Sequence, residues 1–309
     1  MKEKKKNKKI KLVVLSMLMM LLFTGCTTYL KDKDGKTVTN PVTSQNMTKN
    51  ILCKPKKKEA LNIYKENKID VSKLPDCDNF KIWTKYDGLW TGVVEALAWV
   101  ILKIGEIVRN YGLALIITSL LIRLAMFPVT RKTALQSELI KKAKPELDKL
   151  EGKYKDKKDN DSMMKKSQEM AMIYKKYNIN PISGCLFAFL QLPLFIGFLE
   201  AINRVPAIFE ENFLGLQLGT TPWNAITNNK EYFYLYIILI IAVAVSTYFS
   251  TKFNAAATSG DNSQMKTMNI VMLVMITTMS FVTSSALGIY WLTSSVFTIV
   301  QNLIVRKDI

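Results

Sequence analysis

From Thr267 to Val305 the chain runs 39 residues without a charged side chain. As a single helix it would extend about 58 Å, nearly twice the roughly 30 Å hydrocarbon core of a bilayer. The run must therefore fold back. Ser284-Ser285-Ala286-Leu287-Gly288 near its middle is the expected turn, giving spans over 267–285 and 286–305. Three more blocks each have the length of one span: 110–130, whose one charge is Arg123, then 178–204 and 232–251. The fold class that follows is an all-α polytopic membrane protein with five transmembrane helices.

The basic charge sits outside these blocks. The 309 residues hold 43 Lys and Arg against 25 Asp and Glu, a net +18, with 49% hydrophobic residues. A basic nucleic-acid binder would spread its apolar residues at helix or strand period. No groove-reading motif is present either, so specific nucleic-acid recognition is not expected. The chain has no His and four Cys, none in a CxxC pair. That removes His-based triads and His metal ligands, so no metal or cofactor is expected. With no Asp inside a span, the residue pairs of an intramembrane hydrolase are missing too, and no catalytic residue is expected.

Seven Lys between Lys2 and Lys11 precede 13 uncharged residues, Leu12–Thr24, and then Gly25-Cys26. A basic segment, a short apolar segment and small residues before a cut describe a signal peptide over 1–25. The Cys that follows resembles a bacterial lipobox, with Phe23 where an aliphatic residue is usual. Cys26 is thus the expected lipidation site, its acyl (palmitate-type) chains holding the mature N-terminus at the outer leaflet of the cell membrane. The alternative is a retained signal anchor.

Loop charge sets the orientation. Residues 131–176 hold 14 basic and eight acidic residues, whereas 205–231 hold Lys230 against Glu210, Glu211 and Glu231. The first loop is expected in the cytoplasm and the second outside. The loop 252–266 and the tail 306–309 then also lie in the cytoplasm. Residues 26–87, rich in Lys, Asp, Asn and Thr, read as a poorly ordered extracytoplasmic tether. Its Cys53 and Cys77 are either a disulfide or two free thiols, which spacing alone does not decide. Residues 88–109 place Leu89, Val93, Leu97, Val100, Ile104 and Val108 at helical spacing, interrupted by Glu95, Lys103 and Glu106. They read as an amphipathic helix lying in the outer interface, with a sixth span as the alternative. Residues 131–177 carry two thin apolar stripes separated by the charged run 155–161, the pattern of a cytoplasmic αα-hairpin. Its charge serves topology, or anionic lipid and a ribonucleoprotein surface.

Arg123 is the residue that calls for a function. Burying Arg near a bilayer centre costs at least about 2.5–3.5 kcal/mol. The one acid within a span is Glu200, near the outer end of 178–204, so a mid-depth ion pair is not on offer. Hydration is the remaining solution, in a cavity open to the cytoplasm. Thr118, Ser119, Gln191, Thr293, Ser294, Gln301 and Asn302 are candidates to line it.

Three segments are similar to the YidC family of membrane protein insertases: YGLALIITSLLIRLAMFPVTRKTALQSELIKKAKPELDKL (111–150), NINPISGCLFAFLQLPLFIGF (178–198) and LGIYWLTSSVFTIVQNLI (287–304). The lipoprotein-type signal fits the short form of Gram-positive-type bacteria. Phe187, Ser285 and Ser295 depart from the family, which often carries Pro, Pro and Asn there. The resemblance implies that five spans surround a hydrophilic groove holding Arg123, with Ser119, Gln191 and Pro193 at the family's motif positions, and the residues' own placement adds Thr118 and Thr293 to its lining. It also implies that Tyr290 and Trp291 meet a substrate helix on the lipid-facing side. The implied partners are nascent membrane proteins, the ribosome, the Sec translocon and membrane lipids. The rival reading is a small anion transporter or channel using Arg123.

Overall fold

The structure is a computed structural model and describes residues 27–82, 88–157, 159–180, 182–228, 231–253 and 262–307. The expected signal peptide and the Cys26 lipidation site lie outside the described residues. Ten helices and one two-stranded hairpin are found among those residues: α1 (Lys58–Glu66), α2 (Leu89–Val108), α3 (Tyr111–Tyr154), α4 (Asn160–Lys176), α5 (Ile182–Arg204), α6 (Pro206–Phe209), β1 (Asn212–Phe213), β2 (Leu216–Gln217), α7 (Pro222–Thr227), α8 (Phe233–Phe253), α9 (Asn262–Val282) and α10 (Ser285–Lys307). The fold is all-α in class. Three helices, α3, α8 and α10, are long and apolar enough to cross a membrane, and Ile270–Val282 of α9 is a shorter apolar stretch.

The chain divides into two compact units, Met1–Thr118 with Pro193–Asn224 and Ser284–Leu287, and Ser119–Leu192 with Ala225–Thr283 and Gly288–Ile309. In the first unit the segment expected as a loose tether is ordered over 27–80, which corrects that reading. Isolated bridges pair Tyr29 with Thr48, Lys31 with Thr37, Thr39 with Asn46 and Lys54 with Asp76. They enclose a small core of Leu30, Met47, Ile51, Ala60, Ile63, Tyr64 and Val71. Tyr64 Oη donates to the Thr48 carbonyl at 2.6 Å, so the largest polar side chain in this core is satisfied. Cys53 and Cys77 form a disulfide, both buried. About seven apolar side chains make a marginal core, and a staple is the usual supplement in so small a fold.

α2 buries Trp90, Val94, Ala98, Ile101 and Leu102 and exposes Leu89, Val93 and Ile107. Its apolar residues thus cover two faces, one of them packed on protein. Arg109 stops the helix in the left-handed conformation (φ 54°). Asn110 then caps α3, its side-chain Oδ1 accepting the Leu113 N–H at 2.9 Å.

α3 is 44 residues long and contains Pro128 and Pro145, both in its part within the second unit. The expected boundary at residue 130 between span and hairpin is absent, and the first hairpin arm is an extension of the span. The Thr130, Thr133 and Ser137 hydroxyls bond carbonyls of their own helix just past Pro128. Such back-bonding supports a proline-interrupted helix. The fold-back within 267–305 spans Thr283 and Ser284, so α10 begins at Ser285, inside the expected turn. A Cβ on Gly288 would stand 3.1 Å from Leu239 of α8, a close approach that only glycine permits without repacking.

The hairpin arms pack Ile140 and Ala143 against Ile179, with Leu139, Leu147, Ile173, Tyr174 and Tyr177 around them. A reciprocal polar clasp locks them. Glu146 of α3 accepts from Lys176 Nζ (2.5 Å) and Tyr177 Oη (2.9 Å). Glu169 of α4 accepts from Lys153 Nζ (2.6 Å) and Tyr154 Oη (2.8 Å). These bonds hold both carboxyls below their ordinary 4.5 and raise both lysines above 10.5. A depressed carboxyl contributes stability above its unfolded value, lost as pH falls through the folded one. A raised lysine contributes below its unfolded value, lost as pH rises through the folded one. The clasp is therefore expected to be intact between about pH 5 and pH 10 and to loosen on either side. Spin labels on the two arms should report a broader distance distribution below about pH 4. In the double variant Glu146→Gln/Glu169→Gln the same breadth should be present at pH 7 and change little with acid.

Candidate functional site: the buried arginine

α3 presents Ser119 and Arg123 one turn apart on one face, and α10 presents Tyr290 and Ser294 in the same relation. Arg123 is 6% exposed and Tyr290 1%. The Tyr290 hydroxyl lies near Arg123, Gln191 and Ser294. Three helices, α3, α5 and α10, therefore converge on one phenol. Arg123 takes Tyr290 as its electrostatic partner, and no carboxylate joins it among the described residues. Its Nε is buried and has no hydrogen-bond partner among them. A guanidinium is intrinsically too basic to lose its proton, and a neutral phenol offers it one dipole and no counter-charge.

Seven residues further along α3, Thr130 and Gln301 of α10 meet at 3.1 Å, Thr130 Oγ1 sharing its proton between Gln301 Oε1 and the carbonyls of Met126 and Phe127. Gln301 and Asn302 are buried, and Asn302 Nδ2 donates to the Thr298 carbonyl at 2.8 Å. Thr130, not among the residues expected to line the cavity, and Gln301 thus meet across α3 and α10. Others fall elsewhere. Thr293 is half-buried and donates to the Ile289 carbonyl of its own helix at 2.8 Å, whereas its neighbour Ser294 is buried on the side of Tyr290, its hydroxyl without a hydrogen-bond partner among the described residues. Thr118 is buried on α3 in the first unit, with no partner for its hydroxyl among the described residues.

Tyr290 and Trp291 correct the expectation of a lipid-facing aromatic pair. Trp291 is only 8% exposed, and Tyr290 turns toward Arg123. The exposed side of α10 is Val296, Val300, Leu303 and Ile304. The Tyr290–Ser294 spacing of four was the readable signal that Tyr290 shares a face with the polar residues.

The arrangement matches a known family. Residues 103–309 match the family model described as 60Kd inner membrane protein. Membrane protein insertase YidC 2 of Listeria innocua is 31% identical over 231 residues, 74% of each chain. The chain belongs to the YidC family of membrane protein insertases. Membrane protein insertase YidC of Oceanobacillus iheyensis is 31% identical over 237 residues, 74% of this chain and 88% of that one. Membrane protein insertase MisCA of Bacillus subtilis is 32% identical over 230 residues, 74% of this chain and 81% of that one. Among solved structures, an active YidC insertase with its first transmembrane domain resolved superposes at a TM-score of 0.50 and 21% identity. That match covers 70% of this chain but 46% of the longer one, and it supports the fold. A membrane insertase with multiple membrane-crossing helices, not a family of catalytic enzymes, is what these likenesses describe.

The contact between Arg123 and Tyr290 is open to a double-mutant cycle. Arg123→Met and Tyr290→Phe, singly and together, should show a coupling of about 1–3 kcal/mol in thermal unfolding of the detergent-solubilised protein. Additivity within about 0.5 kcal/mol would mean that the two groups sit together without holding one another.

Proposed function

We propose that Arg123, with Ser119, Gln191, Tyr290 and Ser294 facing it, forms the hydrophilic groove through which this insertase admits the polar end of a nascent membrane protein. The observation that carries this is a guanidinium buried in an apolar helix with Nε unsatisfied and a neutral phenol for a partner. Such a group needs water or an incoming acceptor. The translocated end of a substrate, carrying an acid, reaches the groove from the cytoplasm and takes the place of Tyr290 on Arg123. Water around these side chains shortens the apolar path that the polar segment must cross. The apolar helix of the substrate then passes along the exposed side of α10 at Val296, Val300, Leu303 and Ile304. It leaves by partitioning into lipid, assisted by the membrane potential acting on its negative charge. No bond is made or broken, so no catalytic residue, metal or cofactor is needed.

The topology proposed with it has five spans, made by the apolar part of α3 and by α5, α8, α9 and α10. The signal peptide 1–25 is removed, and lipidated Cys26 anchors the mature N-terminus outside. The α3–α4 hairpin and the C-terminus lie in the cytoplasm, where the ribosome and the Sec translocon are the expected partners. The charge asymmetry of the loops supports this orientation, as does a disulfide in 27–80, since disulfides persist in oxidising compartments.

In proteoliposomes, Arg123→Ala should lower insertion of a single-spanning protein with a short acidic translocated end by about tenfold or more, the size of a charge-assisted contact. Arg123→Lys should retain more activity than Arg123→Ala. A water-soluble maleimide added from the cytoplasmic side of native membranes should label Arg123→Cys. Full protection of that cysteine, or insertion indifferent to all three substitutions alongside an anion flux, would sink the groove reading.

A further inference from the structure

The family model begins at residue 103, so the ordered segment 27–80 lies outside it and has no role assigned by the likenesses above. Its contacts within the first unit fall on chain ends that lack partners of their own. The last residue of α5, Arg204, offers a carbonyl with no further turn to fill it, and the Leu52 N–H donates to it at 2.8 Å. The Arg204 side chain returns the contact, Nε donating to the Asn50 carbonyl at 2.9 Å. In the other direction, α1 starts at Lys58 with no side-chain cap from Lys57. Glu210, just beyond α6, supplies one, accepting the N–H groups of Lys56 (3.0 Å) and Lys57 (2.9 Å). Negative charge at a helix N-terminus is favourable in its own right.

A third contact leads on to the last helix. Thr220 Oγ1 donates to the Thr43 carbonyl, and Asn224 Nδ2 donates to that of Ser44 at 3.1 Å. The Thr220 carbonyl in turn accepts from both the N–H (3.0 Å) and the hydroxyl (2.8 Å) of Ser285, the first residue of α10. The Ala286 N–H donates to the Leu218 carbonyl at 3.0 Å. The disulfide adjoins the first two of these contacts. Cys53 adjoins Leu52, and Cys77 adjoins the Lys54–Asp76 bridge and the Lys56–Asp78 ion pair.

We propose that residues 27–80 are a disulfide-fastened clasp that ties the end of α5 to the start of α10 through residues 204–220, and that the redox state of Cys53–Cys77 sets how firmly those two helix ends are held. The clasp acts on helix ends and does not depend on what Arg123 binds. Its test therefore fails or succeeds separately from the groove.

Hydrogen exchange of the full chain in nanodiscs, followed by mass spectrometry on short peptides, reads it directly. After reduction, or in Cys53→Ser/Cys77→Ser, the amides of Leu52, Lys56 and Lys57 should exchange about a hundredfold faster, on the scale of a disulfide's contribution. Those of Ser285 and Ala286 should quicken with them. Glu210→Ala keeps the disulfide and should quicken Lys56 and Lys57 about fivefold, the size of a lost helix cap. Arg123→Ala should change none of these rates. Unchanged exchange at Leu52, Lys56 and Lys57 with the disulfide demonstrably broken overturns the fastening. Faster exchange there with Ser285 and Ala286 unmoved overturns the coupling to α10.

Discussion

One unneutralised charge organises the polar site of the second unit. Arg123 is the one charged residue in the membrane-length stretch 110–130, and the partner facing it is a phenol rather than a carboxylate. The distinction matters physically. A carboxylate would form a permanent buried ion pair, and an occupant would have to break it at a cost of several kcal/mol. A tyrosine hydroxyl offers the guanidinium a dipole and leaves its charge in place. The site is thus stable enough to fold around and still short of a counter-charge. Ser119, Gln191 and Ser294 extend the polar surroundings without changing the charge, the combination that suits transient contact with an acid.

The same helix carries this centre into the hairpin. α3 runs about 66 Å at 1.5 Å per residue, and two prolines inside it remove hydrogen bonds without ending it. Past Pro128, hydroxyls of Thr130, Thr133 and Ser137 bond the carbonyls of their own turn, and Thr130 also reaches Gln301. The proline-weakened turn is therefore held from α10. Further along, the Glu146 and Glu169 clasp fixes α4 against the same helix. A motion of the hairpin has a continuous rod through which to act, with its softest point beside the polar contacts.

What the sequence made legible follows from which forces are local. Apolar blocks of membrane length are a one-dimensional signal, and the helices α5, α8, α9 and α10 lie within a few residues of where those blocks predicted them. The Arg123 site was legible as a residue, because an isolated charge in such a block has few explanations. Its partner was harder. In a helix apolar on every side, no periodicity says which face turns inward, and Tyr290 and Trp291 were placed toward lipid. The segment 27–80 was not legible at all. Its apolar residues, Leu30, Met47, Ile51, Ile63, Tyr64 and Val71, are too sparse for a period. What holds it are Arg204, Glu210 and Thr220, which lie more than 150 residues away from the backbone groups they meet. Composition alone reads such a segment as disordered, because the partners that order it are invisible in its own sequence.

Ser285 shows how the first residue of α10 fits this scheme. Proline is well suited to a first helical turn because its missing N–H would find no partner inside the helix. Here the position has an N–H and a hydroxyl, and both go to the carbonyl of Thr220. Thr220 is also the residue whose hydroxyl bonds Thr43 of the ordered segment 27–80. A proline at 285 would keep the helix start and lose both bonds, and with them the hydrogen-bonded path from that segment through Thr220 to the first residue of α10.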